Sequence, residues 1–275
     1  MLAPVEATPL KSETEIVGSS AVRTYLDEAR LVESDFRELR FWASAKDRNP
    51  LHLLLHKAPY MSILRRCEKL LLEPKPTHAL ELGAGYGWGS ATLKCISPAT
   101  YVVASDVSSD AMEHADVFEQ ALGAKMDEKW AASADNLPFA DGTFDLVFCF
   151  SAFHHFIIGG RYRAALAEIV RVLRPGGRFV MIYEPATPEF WYSIARARVR
   201  LIRKKSGVDE DVIVIEQLRE AALSVGASIS VQHFPDVMGR HTLGRILYYA
   251  ALAKLPWLQN VLPSTINAVI SKPSP

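Results

Sequence analysis

Cysteine is scarce: only Cys67, Cys95 and Cys149 occur in 275 residues. Three scattered thiols make neither a disulfide framework nor a zinc cage, which suits a reducing compartment and a cytoplasmic location. An excess of one charge is missing too. Lysine plus arginine and aspartate plus glutamate number 31 each, so the formal net charge is zero. The chain as a whole exerts no long-range pull on nucleic acid or on an anionic membrane. No run of about 18 apolar residues occurs, so no transmembrane segment is expected. The apolar stretch Ile246–Leu258 is broken by Lys254 and Pro256. The opening MLAPVEATPLKSETEIVG lacks the basic start and apolar run of a secretory signal, and it is too acidic for a transit peptide. Internal repeats and low-complexity tracts are also lacking. What is present is 49% hydrophobic and 23% charged residues, the proportions of a globular chain that can bury a core.

Residues 1–18 read as a flexible tail, polar and with two prolines. Residues 19–76 read as an N-terminal helical cap. Val22, Leu26, Leu31, Phe36, Leu39 and Trp42 recur at mixed three-to-five spacing, Lys46–Pro50 marks a turn, and Leu51–Leu72 resumes the pattern. From residue 77 the texture changes. Short apolar runs (His78–Leu82, Tyr101–Ser105, Phe144–Phe150, Arg178–Tyr183) alternate with helical stretches (about Gly89–Ile96, Ser109–Leu122, Arg161–Leu173). That alternation predicts an α/β fold, a doubly wound and mainly parallel sheet of about seven strands. A helix near Val212–Val225, strands at Ser228–Phe234 and Asn267–Ser271, and a helical insertion at about 236–262 complete a domain over 77–275.

The stretch His78-Ala-Leu-Glu81-Leu-Gly83-Ala84-Gly85-Tyr-Gly87-Trp-Gly89 is the most informative. An apolar strand enters a glycine-rich turn and then a helix, whose N-terminus exposes unpaired N–H groups. By itself this is a tight turn or a binding site with equal justice. Trp88 stands where the third glycine of a G-x-G-x-x-G dinucleotide fingerprint would fall, which disfavours a NAD-dependent oxidoreductase. The next strand ends at Asp106, where a carboxylate can accept from both ribose hydroxyls of an adenosine. A helix cap is its plainer role, shared with Ser108 or Ser109.

These motifs resemble the S-adenosylmethionine-dependent methyltransferases of the Rossmann-like type, well over about residues 60–185 and only in topology beyond. Glu81, Gly83, Gly85 and Gly87 match the family's first motif, and Asp106 its ribose-binding acid. Ala134-Asp-Asn-Leu-Pro-Phe139 resembles the segment along the adenine, Phe144–Val147 the fourth family strand, and Leu173–Gly177 the turn into the fifth. The resemblance implies S-adenosyl-L-methionine as cofactor, held by these residues together with Ala84, Val107, Ser133, Ala134, Asp135 and Ser151. One departure stands out: the family's adenine-binding aspartate is replaced by Ser133, with Asp135 two residues on.

A hydroxyl acceptor needs a base within hydrogen-bond reach. Cys149-Phe-Ser-Ala-Phe-His154-His155-Phe156 follows the strand whose end faces the methyl group in this family. His154 and His155 are candidate bases, since histidine titrates near neutrality. Adjacent side chains diverge, so one histidine is expected to face the pocket while the other packs. Glu184 ends the neighbouring strand and can orient an imidazole, although a cap before Pro185 is the bland alternative. The set resembles small-molecule O-methyltransferases acting on sugars of natural products. An Asp/Asn-Pro-Pro-aromatic tetrapeptide, a double-glutamate hairpin and a cluster of acids are lacking, which disfavours amino groups of DNA bases, protein arginine and metal-dependent catechol chemistry. No metal is expected. The reading is methyl transfer to a small-molecule acceptor of sugar or lipid-linked type, at oxygen, with carbon or nitrogen as alternatives. A non-catalytic adenosine-binding protein is the rival outside enzymology. Tyr25, Trp42, His56, Tyr60 and Phe190–Tyr192 are candidate lid residues. The basic run 196–205, RARVRLIRKK, reads as a solvated helix face, or else as a receiver of an anionic acceptor.

Overall fold

The computed structural model describes residues 13–17, 20–26, 31, 33–44, 49–112, 114–203, 210–238, 240 and 242–274. The chain begins with two strands, β1 (Glu13–Val17) and β2 (Ser20–Tyr25), then helices α1 (Glu33–Ser44), α2 (Pro50–Arg66) and α3 (Glu68–Leu72). Alternation follows: β3 (His78–Leu82), α4 (Trp88–Ile96), β4 (Tyr101–Asp106), α5 (Ala115–Leu122), β5 (Glu128–Ala132) and β6 (Phe144–Phe150). After these come α6 (Phe153–Phe156), α7 (Tyr162–Val172), β7 (Leu173–Thr187), α8 (Tyr192–Arg203), β8 (Ile213–Val214) and α9 (Ile215–Ser224). The last elements are β9 (Ser228–His233), α10 (Leu243–Lys254), α11 (Pro256–Gln259) and β10 (Ser264–Ser271).

The strands join one sheet in the order β1-β2-β5-β4-β3-β6-β7-β10-β9, with β8 beside β7. The run from β2 to β7 is parallel, and β1, β10 and β9 are antiparallel additions. Side chains alternate across each strand. Leu80, Val147, Phe179 and Met181 meet Leu166 and Ile169 of α7 and Leu218 of α9 on one face. Ala79, Leu146, Phe148, Val180 and Ile182 meet Ile63 and Leu64 of α2 and Leu93 of α4 on the other. Both faces are covered, so the inner strands read as continuous apolar runs.

Three expectations change. The sheet has ten strands where about seven were expected. Ser20–Tyr25, assigned to the helical cap, is a strand paired in parallel with β5, and Glu13–Val17 of the expected tail pairs with it. The physical reason is alternation: Val22 is buried and Arg23 exposed, and the edge of β5 offers free backbone groups. Residues 1–12 and 18 of the expected tail lie outside the described residues. The third change is β5 itself, hidden because its first residues are Glu128 and Lys129. Glu128 is buried and accepts from Arg23, Tyr101 and Trp130, while Lys129 meets Glu119. Helices α1 to α3 lie between β2 and β3. Asn49 caps α2, its Oδ1 accepting from the N–H groups of Leu51 and His52 at 3.0 and 3.2 Å. The expected insertion is α10 and α11.

Chain order reverses beside β3: it runs outward to β4 and β5, then returns to β6 on the other side. Ligands of such sheets sit at the carboxyl ends of the strands flanking this reversal. Glu81, on β3, points away from that crevice and under α4, where a Cβ on Gly89 would lie 2.1 Å from its Oε1. Burial pushes its carboxyl up to about 8, although Ser90 Oγ donates to it at 2.5 Å. A carboxyl raised on folding contributes stability below its unfolded value that is lost as pH climbs from about 4.5 to about 8. Glu81→Gln carries no such term. Its stability advantage over the parent is expected to widen between pH 5 and pH 8, by on the order of a few kcal/mol, in urea unfolding. Parallel pH curves for the two proteins would contradict it.

Candidate active site

A cavity of about 680 Å³ opens over the carboxyl ends of β3, β4, β6 and β7. Its floor is the glycine turn. Gly83, Gly85 and Gly87 have φ of +65°, +53° and +70°, which only glycine adopts without strain. A Cβ on Gly83 would stand 2.6 Å from the Cβ of Ala152, so the segment after β6 can approach only because position 83 is bare. Trp42 of α1 closes over Gly85, 3.6 Å from where its Cβ would be.

Asp106 lies at the end of β4 on the same wall. One carboxylate oxygen accepts from Gly85 N–H at 2.9 Å and the other from Ser108 N–H at 3.1 Å. Each oxygen keeps a lone pair for a hydroxyl. Burial lifts its pKa to about 6, against the pull of those two N–H groups. Ala84, Val107, Ser133, Ala134, Asp135 and Ser151 also line the cavity; Glu81, Gly87 and Glu184 do not. Asp135 is paired with Arg161, and Ser133 Oγ stands 3.4 Å from Asp35.

Just past β6, Ser151 takes a left-handed φ of 49°, and Tyr183 within β7 takes 60°. Each costs on the order of 1–3 kcal/mol for a residue with a side chain. Behind them Glu184 is fully buried. Its Oε1 accepts from the N–H groups of Ala152 and Phe153, both at 2.8 Å, and its Oε2 lies 2.9 Å from His154 Nδ1. Burial alone would raise the Glu184 pKa, but His154 and those N–H groups hold it below the usual carboxylate value. His154 therefore has its Nδ1 fixed and its Nε2 left for the cavity that it lines.

His155 corrects the expectation that one imidazole turns away. Both rings line the cavity, with centroids 4.2 Å apart. Its Nδ1 lies 3.0 Å from Glu38 of α1. Burial opposes its protonation, but Glu38, Glu210 and Glu184 together outweigh burial, so its pKa is raised. Glu38 went unseen in the sequence, being one acid on an amphipathic helix. Glu210 completes a group with the two histidines, one ligand-capable atom of each lying within 4.8 Å of the others. Of the candidate lid residues, Trp42, His56 and Tyr60 line the cavity, whereas Tyr25 packs on the sheet core and Trp191 bonds to Val261.

The comparisons with known proteins agree with this geometry. Residues 80–181 match the family described as a methyltransferase domain. Demethylmenaquinone methyltransferase of Thermus thermophilus is 36% identical over 46% of this chain and 55% of its own. Fatty-acid O-methyltransferase of Mycolicibacterium smegmatis is 34% identical over 40% and 38%. The chain spans about half the length, or less, of these curated relatives. Geranyl diphosphate C-methyltransferase of Streptomyces coelicolor superposes with a TM-score of 0.62 over 88% of this chain and 98% of its own, at 11% identity, which speaks to the fold. The domain match over residues 80–181 and the shared fold support a Rossmann-like methyltransferase domain with S-adenosylmethionine as cofactor. The bare turn at Gly83 and Gly85 and the half-used carboxylate of Asp106 fit an adenosyl group.

Asp106→Asn is expected to weaken S-adenosylhomocysteine about 10- to 100-fold, the loss of one hydrogen bond to a charged group. The parent should bind less tightly as pH falls through about 6, where Asp106 becomes protonated, and the variant should lose that dependence. Calorimetry from pH 5 to 8 measures both, and equal affinity of parent and variant at pH 8 would contradict the assignment.

Proposed function

We propose that this protein transfers a methyl group from S-adenosylmethionine to a hydroxyl of a small molecule, of sugar or natural-product type, free or lipid-linked. The observation that carries the reading is the His154–Glu184 pair beside the glycine turn, one side of the imidazole fixed at 2.9 Å and the other toward the cavity. When bound, the cofactor supplies an electrophilic methyl. Gly83, Ala84 and Gly85 bring backbone to it, Asp106 holds its ribose, and Ser133 with the Ala134 backbone meets its adenine, Asp135 being engaged by Arg161. His154 Nε2 takes the acceptor's proton. Glu184, kept ionised, holds the Nδ1–H and stabilises the imidazolium that forms. His155 and Trp42 wall the reacting centre against water.

A carbon acceptor is the second reading, because the names of the relatives include a quinone-precursor enzyme as well as an O-methylating one. There His154 would remove the proton from the methylated carbon.

With an acceptor found by a screen for methylated product, His154→Ala should lower turnover about 10²- to 10⁴-fold while S-adenosylhomocysteine affinity stays within twofold. Glu184→Gln should cost less and move the acidic limb of the pH–rate profile, with thermal melts confirming that it folds. Full turnover in His154→Ala with a flat profile from about pH 5.5 to 8 would remove the base and favour a self-activated nucleophile. Turnover abolished by chelation and restored by a divalent ion would instead put a cation on His154, His155 and Glu210.

A further inference from the structure

Charges of both signs line the cavity, in two groups. The cofactor end carries Asp106, Glu210 and Asp211 beside the histidines. At the other end Lys57 of α2 and Arg240, before α10, approach the rings of Tyr60 and Tyr183, which are 6.3 Å apart, and Arg245 of α10 also lines the cavity. Lys57 lies far in sequence from the two arginines, and none of the three has a carboxylate partner among the described residues. That sets them apart from Arg161, paired with Asp135, and Arg196, 3.6 Å from Asp211.

Arg240 is the most constrained of them. Its guanidinium lies 3.7 Å over the Tyr249 ring and 5.1 Å from that of Tyr183. Its Nε donates to the Asp236 carbonyl at 3.2 Å. Its Nη2 is buried and donates to nothing among the described residues. A buried guanidinium N–H without an acceptor is costly, and an arginine fork is shaped for carboxylate or phosphate oxygens. The Lys57 ammonium lies 5.7 Å from the Tyr60 ring and 6.0 Å from that of Trp88. Burial lowers its pKa, as expected of an ammonium with no anion beside it.

Aromatic rings fill the space between the two cations. Tyr60 contacts Phe150 at 6.0 Å and Tyr183 at 6.3 Å, and Phe150 stacks on Tyr183 at 5.7 Å. The wall is aromatic, its rings set edge to face at Tyr60, with a cation at each margin. The basic run on α8 takes little part: Val199 is its contribution to the lining, Arg198 and Arg200 are exposed, and Lys204 and Lys205 lie outside the described residues.

We propose that this end of the cavity binds the oxyanion of an amphiphilic acceptor, a carboxylate or a phosphate monoester, on Lys57 and Arg240, with the apolar body laid against Tyr60, Phe150 and Tyr183. The proposal rests on the methyltransferase reading and names its acceptor class. Like charge at the cofactor end turns the anion away from Asp106 and Glu210, so the end of the acceptor opposite its anion is presented to His154.

Decanoate, decyl phosphate and decanol are the probes, titrated by calorimetry into the full chain saturated with S-adenosylhomocysteine. Either acid should bind at least tenfold more tightly than decanol, and whichever acid binds better identifies the anion. Arg240→Gln should weaken the acids about 10- to 100-fold, Lys57→Gln by a similar factor, and neither should change decanol. Arg240→Lys, which keeps the charge without the fork, should fall between and serves where the glutamine variant folds poorly. Decanol binding as tightly as the acids, or acids indifferent to both glutamine variants, would overturn the proposal. A Lys57→Gln protein that loses S-adenosylhomocysteine affinity while holding the acids would overturn the role of Lys57. No S-adenosylhomocysteine binding by the parent would be a failure of the methyltransferase reading instead, seen before any acid is added.

Discussion

Glu184 is the constraint on which the site depends. It has no exposed surface, yet its carboxylate is held charged by donors from a single short segment. The N–H groups of Ala152 and Phe153 and the imidazole of His154 all converge on it. A charge in that position would cost several kcal/mol if these donors were removed. The segment after β6 is thereby pinned to the end of β7, and with it the four-residue helix α6 that carries both histidines. Its cost in desolvation is offset only when all the donors are in place, so the carboxylate selects one arrangement of the loop rather than adding stability.

Three carboxylates at neighbouring strand ends show how donors set charge. Glu184 has two short backbone bonds and an imidazole, and its pKa lies below the ordinary value. Asp106 has two backbone N–H groups and sits at about 6. Glu81 has Ser90 as its donor and sits at about 8. Burial pushes all three upward, so their order follows the donors. Near neutrality the middle one is ionised and the last largely protonated, which puts the charge on the wall of the cavity and keeps it out of the space beneath α4.

The parts of the fold that were legible in the sequence are those with one signal. The runs Tyr101–Ser105 and Phe144–Phe150 are apolar on both faces, and the glycine turn lies between strand and helix, so β3, β4, β6 and β7 could be read directly. β5 could not, because Glu128 and Lys129 look like surface residues until Arg23, Tyr101 and Glu119 are seen around them. The strand β2 was masked by spacing that also suits a helix. At the site, residues on the strand ends were readable by position, whereas Glu38, Lys57 and Arg240 come from the cap and the insertion. Nothing local marks a lone lysine between His56 and Ala58 or an arginine in a loop. Their meaning comes from sharing one cavity, which is a property of the fold.

The backbone strain at the site follows from the same geometry. Ser151 just past β6 and Tyr183 within the neighbouring β7 both take a left-handed φ. Ser151 N–H donates to the Ile182 carbonyl at 2.9 Å, and Tyr183 N–H donates to Asn267 at 2.9 Å, so each sharp turn is locked by the strand beside it. Had β6 and β7 run straight on, the next side chains would continue the alternation between the two helical layers. Turning at 151 carries the chain to Ala152, which fits only against a bare Gly83, and aims His154 at the cavity. Turning at 183 lays the tyrosine ring against Phe150 and under Arg240, and leaves Glu184 free to point back beneath α6. The strain is therefore spent where the sheet begins lining a cavity, with Glu184 holding the segment after Ser151 and Asn267 holding Tyr183.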